Sequence, residues 1–284
     1  MAPTIVDTHT HVVSPDLATY PRLGFGPAAS LRWLTEKPLD VHQLLADLDA
    51  GGVHGAVLVQ PHGAYAYDNR YLAEARAVAP HRFVAASIID IAADDRVAQL
   101  RRWAEAGIGG TRLFNIPPGD PPWLGTAATA EVVDEARALG VRLAVCVLPA
   151  DLHRVEALLL QAGDVPVALD HCGFADVTDL SSATGQALVR LARFPQIRCK
   201  VTTTLLHRVG SDPRDVLEGL CEVFGAHRLM WGSDYPQHHE RPYPELVDEG
   251  RHACSRLSPD EQAMFLGGTA LELWPELRPP GSQG

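Results

Sequence analysis

The chain has 284 residues, of which 46% are hydrophobic and 21% charged, and this composition excludes a disordered, collagen-like or coiled-coil protein. Asp and Glu outnumber Lys and Arg by 35 to 24, the net charge is −11, and no basic block interrupts the sequence. We therefore expect neither nucleic acid nor an anionic membrane surface as a partner.

Short apolar runs alternate with longer amphipathic segments along the whole chain. Eight of the runs have the length of a strand, and most are continuously apolar, as expected for strands that are covered on both faces. The candidate strands are Thr4–His9, Gly55–Gln60, Phe83–Ile89, Gly110–Asn115, Val141–Leu148, Val167–His171, Ile197–Thr202 and Leu229–Ser233.

The intervening segments carry recognisable helix ends. Asp40 can cap a helix that stops at Gly51, and Asp94 can cap one that stops at Gly107. A further helix is predicted over Ala130–Leu139, and Ser258 followed by Pro is a strong helix start.

This strand–helix rhythm repeats eight times without a break in composition. We therefore predict an α/β fold, a (β/α)8 TIM barrel that forms a single domain over residues 1–284. The alternative is a doubly wound open sheet, which would need a glycine-rich phosphate loop after an early strand, and the sequence has none.

The sequence also bears on the compartment. The N-terminal segment MAPTIVDTHTHVV lacks the basic and apolar regions of a signal peptide, and no apolar stretch is long enough to span a bilayer. The five cysteines are odd in number and form no CxxC pair, which indicates reduced thiols. We expect a cytoplasmic protein.

The first strand ends in the sequence Asp7-Thr8-His9-Thr10-His11. Because side chains two residues apart share a face of a regular strand, Asp7, His9 and His11 are expected to point together into the barrel. Two imidazoles aimed at one point can bind a divalent cation or act as paired donors. The alternative is a chance pair of surface histidines, since the chain has 13.

Two later strands end in residues that can complete this site. Asp234 follows the last strand, which lies beside the first when a barrel closes, so its carboxylate is expected to face His9 and His11. His171 ends the sixth strand. The competing roles are a helix cap for Asp234 and a hydrogen-bonded core position for His171.

Further candidates are substrate-binding residues. Arg112, near the end of the fourth strand, can clamp a carboxylate or form an internal ion pair. His62 and Tyr67 follow the second strand, where the connections of a barrel build its site, although each can equally be a loop residue without a ligand. His207 follows the seventh strand. Lys200 is one of two lysines and is predicted inside a strand, either paired or near the site.

Taken in order, these motifs resemble the amidohydrolase superfamily, and within it the lactonase-like branch that includes 2-pyrone-4,6-dicarboxylate lactonase and sugar lactonases. That branch opens with a DxHxH strand, ends its sixth strand in Asp-His-x-Gly and closes with Trp-Gly-Ser-Asp before an aromatic residue and Pro. The corresponding segments are Asp7 to His11, Asp170 to Gly173 and Trp231 to Pro236.

The resemblance departs from metal-dependent members at the fifth strand. Those members usually place a further His or modified Lys on strand four or five, whereas Val141–Leu148 contains no His, and Cys146 lies in an apolar setting. One zinc or manganese ion held by His9, His11 and Asp234 and a site without metal both stay open.

The function that the resemblance implies is hydrolysis of a lactone or related cyclic ester of a small carboxylate-bearing substrate. Asp234 would act as general base, and His9, His11 and His171 would stabilise the oxyanion directly or through a cation. The alternatives are a metal-dependent non-oxidative decarboxylase of an aromatic or unsaturated acid and a non-catalytic ligand-binding barrel. A homo-oligomer is compatible with the sequence.

Overall fold

The computed structural model describes residues 3–24, 26, 31–117, 119 and 122–279. The ends of the predicted domain, residues 1–2 and 280–284, lie outside them. Eight parallel strands form one sheet in sequential order. They are β1 Val6–Thr10, β2 Gly55–Val59, β3 Phe83–Ser87, β4 Gly110–Phe114, β5 Arg142–Cys146, β6 Val167–Leu169, β7 Ile197–Thr202 and β8 Leu229–Gly232.

The sheet closes between β8 and β1. Asp234 N donates to His9 O at 2.9 Å, and His11 N donates to Tyr235 O at 2.8 Å. Gly232 permits this approach, because a Cβ atom there would lie 3.0 Å from His9 Cβ. The predicted barrel and its eight strands are confirmed, although several strands end earlier than predicted because the chain turns into the site.

Helices surround the barrel on its outside and at both ends. They are α1 Trp33–Glu36, α2 Val41–Gly51, α3 His62–Tyr65, α4 Arg70–Val78, α5 Arg96–Glu105, α6 Ala127–Leu139, α7 Leu152–Ala162, α8 Ala183–Leu191, α9 Thr203–Val209, α10 Pro213–Phe224, α11 Tyr243–Ala253, α12 Pro259–Ala263 and α13 Thr269–Leu273. A π-helical turn, Met264–Gly268, joins the last two.

Two of the predicted helix starts have the side-chain cap that the sequence predicts. Asp40 accepts hydrogen bonds from the first turn of α2, and Ser258 forms a capping box with Glu261. The helix predicted from Asp94 begins instead at Arg96 and has no side-chain cap.

The barrel interior is packed with small and branched side chains from alternate strand positions. The chain's last helical segment closes it at the end where the strands begin. These interior residues are Val6, Val57, Val59, Val84, Ala86, Ala144, Ala168, Met230, Ala270, Leu273, Trp274 and Leu277. Polar side chains occupy the opposite end of the barrel, where the strands finish. Among the described residues, no helix combines the length and apolarity that crossing a membrane requires.

Candidate active site

The first strand contains one extra residue relative to its neighbour. Asp7 pairs with Ala56, but Thr10 pairs with Leu58, so the register shifts between them. Because the extra residue changes which face each side chain occupies, His9 and His11 point inward and Asp7 points outward. The prediction that all three share a face was therefore wrong for Asp7.

Asp7 holds β1, β8 and α11 together. Its carboxylate accepts hydrogen bonds from the backbone N–H groups of His9 and Ser233, at 3.1 and 2.9 Å, and from the Tyr243 hydroxyl at 2.9 Å. Burial nevertheless outweighs these bonds and raises the pKa of Asp7 from its ordinary 3.8 to about 6.

His9 and His11 reach Asp234 from β1. His11 Nδ1 donates to Val59 O at 2.8 Å, so in the neutral ring Nε2 carries a lone pair, and this atom lies 3.3 Å from Asp234 Oδ1. His9 Nε2 lies 3.6 Å from the same oxygen, and its Nδ1 lies 3.6 Å from Asp170 Oδ1. Within the described part of the chain, neither ring nitrogen of His9 has a hydrogen-bond partner.

A left-handed turn after β6 brings in His171. Residues 171–174 all have φ between 50° and 63°, and the only glycine among them, Gly173, has Leu152 Cδ2 2.5 Å from where its Cβ would be. Non-glycine residues in this conformation are strained, and such strain is concentrated at functional sites. His171 is stacked on Phe174, and its Nδ1 lies 2.7 Å from Thr202 Oγ1.

Asp234 occupies the centre of the group, also in a left-handed conformation with φ 57°. Its Oδ1 faces His9 and His11, and its Oδ2 accepts a hydrogen bond from Thr204. Burial would raise the pKa of this carboxyl, but in acid the neighbouring imidazoles, His171 foremost, carry positive charge that outweighs burial and holds the pKa below its ordinary 3.8. The group is therefore ionised at neutral pH.

The imidazoles of His9 and His171 are neutral at pH 7. Burial lowers the pKa of His9 well below its ordinary 6.5 and lowers that of His171 to about 4. Neutral imidazole is the form that binds metal ions. Among the described residues, His9, His171 and Asp234 offer ligand atoms that all lie within 4.8 Å of one another. The set predicted from sequence had His11 in place of His171, because the left-handed turn after β6 could not be foreseen.

The two imidazoles of β1 face Asp234 in a way that fits a divalent cation. His9 directs Nδ1 towards a carboxylate and His11 binds a carbonyl through Nδ1, which leaves Nε2 of each ring facing Asp234. Such outer oxygen contacts are typical of metal-binding histidines. Lone pairs that converge on a carboxylate repel it unless a cation or a proton lies between them. Nε2 of fully buried His9, which has no hydrogen-bond partner among the described residues, agrees with that arrangement.

Below the imidazoles lies a buried charge cluster. Asp170 Oδ2 accepts from Arg112 Nε at 2.6 Å, and Asp170 Oδ1 lies 2.9 Å from Lys200 Nζ. Although burial alone raises the pKa of Asp170, the two cations hold it well below 3.8. The internal ion pair considered for Arg112 is present, and so is the pairing considered for Lys200.

A cavity of about 790 Å³ opens above this floor, at the carboxyl ends of the strands. Arg112, His62 and Tyr67 line it, together with His11, His171 and Asp234. His62 is stacked on Phe114 with ring centroids 4.5 Å apart. Cavities of this size accommodate small organic molecules.

His207 is the candidate that the structure places elsewhere. It is not among the described residues that line the cavity, and its Nε2 lies 2.9 Å from Glu249 Oε2 on α11. The reason is that β7 runs directly into α9, whose first turn faces the site while His207, in its last turn, contacts α11. The prediction that His207 binds substrate does not agree with this position.

Sequence reasoning missed two site residues. Thr204 carries no signal because a threonine after a strand is ordinary, yet its hydroxyl contacts Asp234. Asp170 enters the sequence argument only as part of a motif, although its carboxylate joins Arg112 and Lys200. The available signal was charge balance, because a buried Arg and a buried Lys on separate strands need an anion between them.

Fold and site together define a class: TIM-barrel proteins that carry histidines and a carboxylate at the carboxyl ends of their strands. The family model described as amidohydrolase matches residues 6–275. The chain belongs to the amidohydrolase family, and the resemblance inferred from its motifs is confirmed.

Individual relatives are more distant. An L-fucono-1,5-lactonase from Burkholderia ambifaria is 27% identical over 260 residues, which cover 87% of each chain. A crystal structure from Pseudomonas putida, described as a candidate 2-pyrone-4,6-dicarboxylic acid hydrolase, is 25% identical with a TM-score of 0.79, over 98% of this chain and 100% of that one. A zinc-bound amidohydrolase from Burkholderia multivorans is 22% identical, with a TM-score of 0.77 over 96% and 99%, which shows the fold alone.

Proposed function

We propose that this amidohydrolase opens a lactone or related cyclic ester of a small carboxylate-bearing substrate. The observation that carries the proposal is the meeting of Asp234 with His9, His11 and His171 on the floor of a cavity large enough for such a molecule. Support comes from the similarity to a protein named as a lactonase and to one described as a candidate pyrone dicarboxylate hydrolase.

The residues can be assigned roles in water attack on the ring ester. Asp234 is ionised and accessible from the cavity, so it can take a proton from water. General base action of this kind contributes about 10²–10⁴ in rate. The imidazoles of His9, His11 and His171 surround the place where negative charge develops. In neutral His11, however, Nε2 cannot donate, because the ring proton is on Nδ1.

That tautomer favours oxyanion stabilisation through a cation over direct donation by His11. We propose that one divalent ion, zinc or manganese, is held by His9, His171 and Asp234, with His11 beside them. Such an ion would polarise the lactone carbonyl as a Lewis acid.

Substrate binding is assigned to the walls of the cavity. Arg112 keeps its positive charge beside Asp170 and presents it to the cavity, where it can attract the substrate carboxylate. The half-exposed ring of Tyr67 and the His62 ring stacked on Phe114 offer flat surfaces for the substrate ring.

We further propose that a small molecule is the principal partner and that the protein works in the cytoplasm. The five free cysteines, four of them buried, support a reducing compartment. The proposed domain is the whole of residues 1–284, and self-association stays a proposal for a sedimentation experiment.

The test is a proton-release assay on a panel of five- and six-membered lactones, with and without a carboxylate, alongside open-chain esters. We expect turnover of carboxylate-bearing lactones, with one equivalent of zinc or manganese in protein purified without added metal. His252→Ala, which removes an exposed imidazole far along α11, is the matched control and should behave as wild type. Release of carbon dioxide from aromatic acids without lactone turnover would instead show a decarboxylase.

A further inference from the structure

The two oxygens of Asp234 have different surroundings. Oδ1 faces His9 and His11, whereas Oδ2 accepts a hydrogen bond from Thr204 Oγ1. Thr204 Oγ1 in turn lies 3.2 Å from His238 Nε2. These contacts lie on the side of Asp234 away from the imidazoles of β1.

The direction of each hydrogen bond follows from the chemistry of the groups. The Thr204 hydroxyl donates to Asp234 Oδ2, and this contact uses the single hydrogen that a hydroxyl has. The Thr204 oxygen can then only accept from His238, whose Nε2 must carry a hydrogen. Glu240 Oε1 lies 3.4 Å from His238 Nδ1, so an oxygen atom faces each ring nitrogen, and Glu240 holds the ring when Nδ1 carries a hydrogen as well.

The helix that carries Thr204 is itself held against the site. Thr202 caps α9 by accepting from Leu205 N, and the same Thr202 oxygen contacts His171 Nδ1. The first turn of α9 therefore contacts both His171 and Asp234. A side chain on this turn has a defined position relative to the reacting groups, which is what a positioning residue needs.

We propose that Thr204 and His238 are positioning residues that reserve Asp234 Oδ1 for the reaction. With Oδ2 occupied by the Thr204 hydrogen, the proton taken from the attacking water goes to Oδ1, on the side of His9 and His11. This inference rests on the proposed function and adds to it the identity of the reacting oxygen and the two residues that select it.

The kinetic test compares Thr204→Val, which keeps the shape without the hydroxyl, with Thr204→Ser, which keeps the hydroxyl. We expect Thr204→Val to lower kcat by about 10- to 100-fold, the range for one hydrogen bond to a charged group, with KM within about 3-fold of wild type. Thr204→Ser should restore kcat to within about 3-fold. Equal kcat values for Val and Ser would overturn the proposal.

A matched pair of variants separates the hydrogen bond from loop packing. His238→Leu and His239→Leu remove neighbouring imidazoles from the same loop, but His239 contacts Glu36 rather than Thr204. We expect His238→Leu to lower kcat several-fold and His238→Gln, which keeps an N–H near Nε2, to recover most of it. An equal loss in His239→Leu would show a loop effect and contradict the proposal.

A final experiment does not require the protein to open a lactone. Histidine ¹⁵N NMR, assigned by the signal that disappears in His238→Leu, should show His238 protonated at Nε2, and that resonance should shift in Thr204→Val. A neutral His238 protonated only at Nδ1 would overturn the proposal, because Thr204 would then donate to His238. If wild type opened no lactone, the proposed function would fail, and this tautomer would still decide whether Thr204 donates to Asp234.

Discussion

Replacing Asp7 by Asn should separate the structural part of the DxHxH motif from its chemical part. The Asp7 carboxyl is fully buried and faces α11, and its replacement keeps the shape and the hydrogen-bond acceptor for the N–H groups of His9 and Ser233. The Tyr243 hydroxyl can turn to accept from the new amide. The change therefore removes a titrating group with little loss of packing.

The magnitude follows from the pKa. Folding raises the pKa of Asp7 from 3.8 to about 6, so the folded state binds this proton more tightly than the unfolded state. The contribution of Asp7 to the free energy of unfolding is then highest below pH 3.8 and falls as the pH rises to about 6. At about 1.4 kcal/mol for each pKa unit, the loss is about 3 kcal/mol.

The assay is urea unfolding of wild type and Asp7→Asn, followed by circular dichroism between pH 4 and 7.5. We expect the stability of the variant relative to wild type to increase by about 2.5 kcal/mol across that window, which begins just above pH 3.8, and to level off above pH 6.5. Because Asp7 does not face the cavity, lactone turnover at pH 7 should stay within about 3-fold of wild type. A stability difference that does not change with pH would refute the assignment.

Three further predictions concern the floor and the edge of the site. Lys200→Met should lower the free energy of unfolding, measured with urea, by about 3–5 kcal/mol, because Asp170 loses a buried cation. A loss below about 1 kcal/mol would contradict the pairing of Lys200 with Asp170. Gly173→Ala should lower stability by more than about 1 kcal/mol and reduce kcat by displacing His171, since its φ is +63° and Leu152 fills the space; unchanged kcat and melting temperature would argue against this turn. His207→Ala should leave the KM of lactone turnover unchanged, and a large rise in KM would show that His207 contributes to substrate binding.

The barrel could be predicted because its determinants are local and repeated. Apolar runs of strand length, separated by capped helices, indicate all eight strands, and closure of the barrel is enough to place Asp234 beside His9. The side-chain positions at the strand ends depend on irregular backbone instead. One extra residue in β1 turns Asp7 outward, and a left-handed turn brings His171 within 4.8 Å of the donor atoms of His9 and Asp234.

The buried charge cluster shows a second limit of sequence reasoning. In the sequence, Arg112 and Lys200 each stand out as a cation that needs an anion inside the barrel. The anion for both is Asp170, directly before His171. Which anion satisfies which cation depends on the arrangement of β4, β6 and β7 around the barrel. Likewise, the contact of Thr204 with Asp234 joins the first turn of α9 to the segment after β8, 30 residues further on, and no pattern in either segment indicates it.

The most direct measurement is the kcat of Asp234→Asn on the best lactone of the panel, with circular dichroism and melting temperature as checks of the fold. Asparagine keeps the shape but cannot take a proton from water, so we predict a loss of at least about 10²-fold in kcat from a folded protein. A folded Asp234→Asn enzyme that opens the lactone at near wild-type rate would contradict the account.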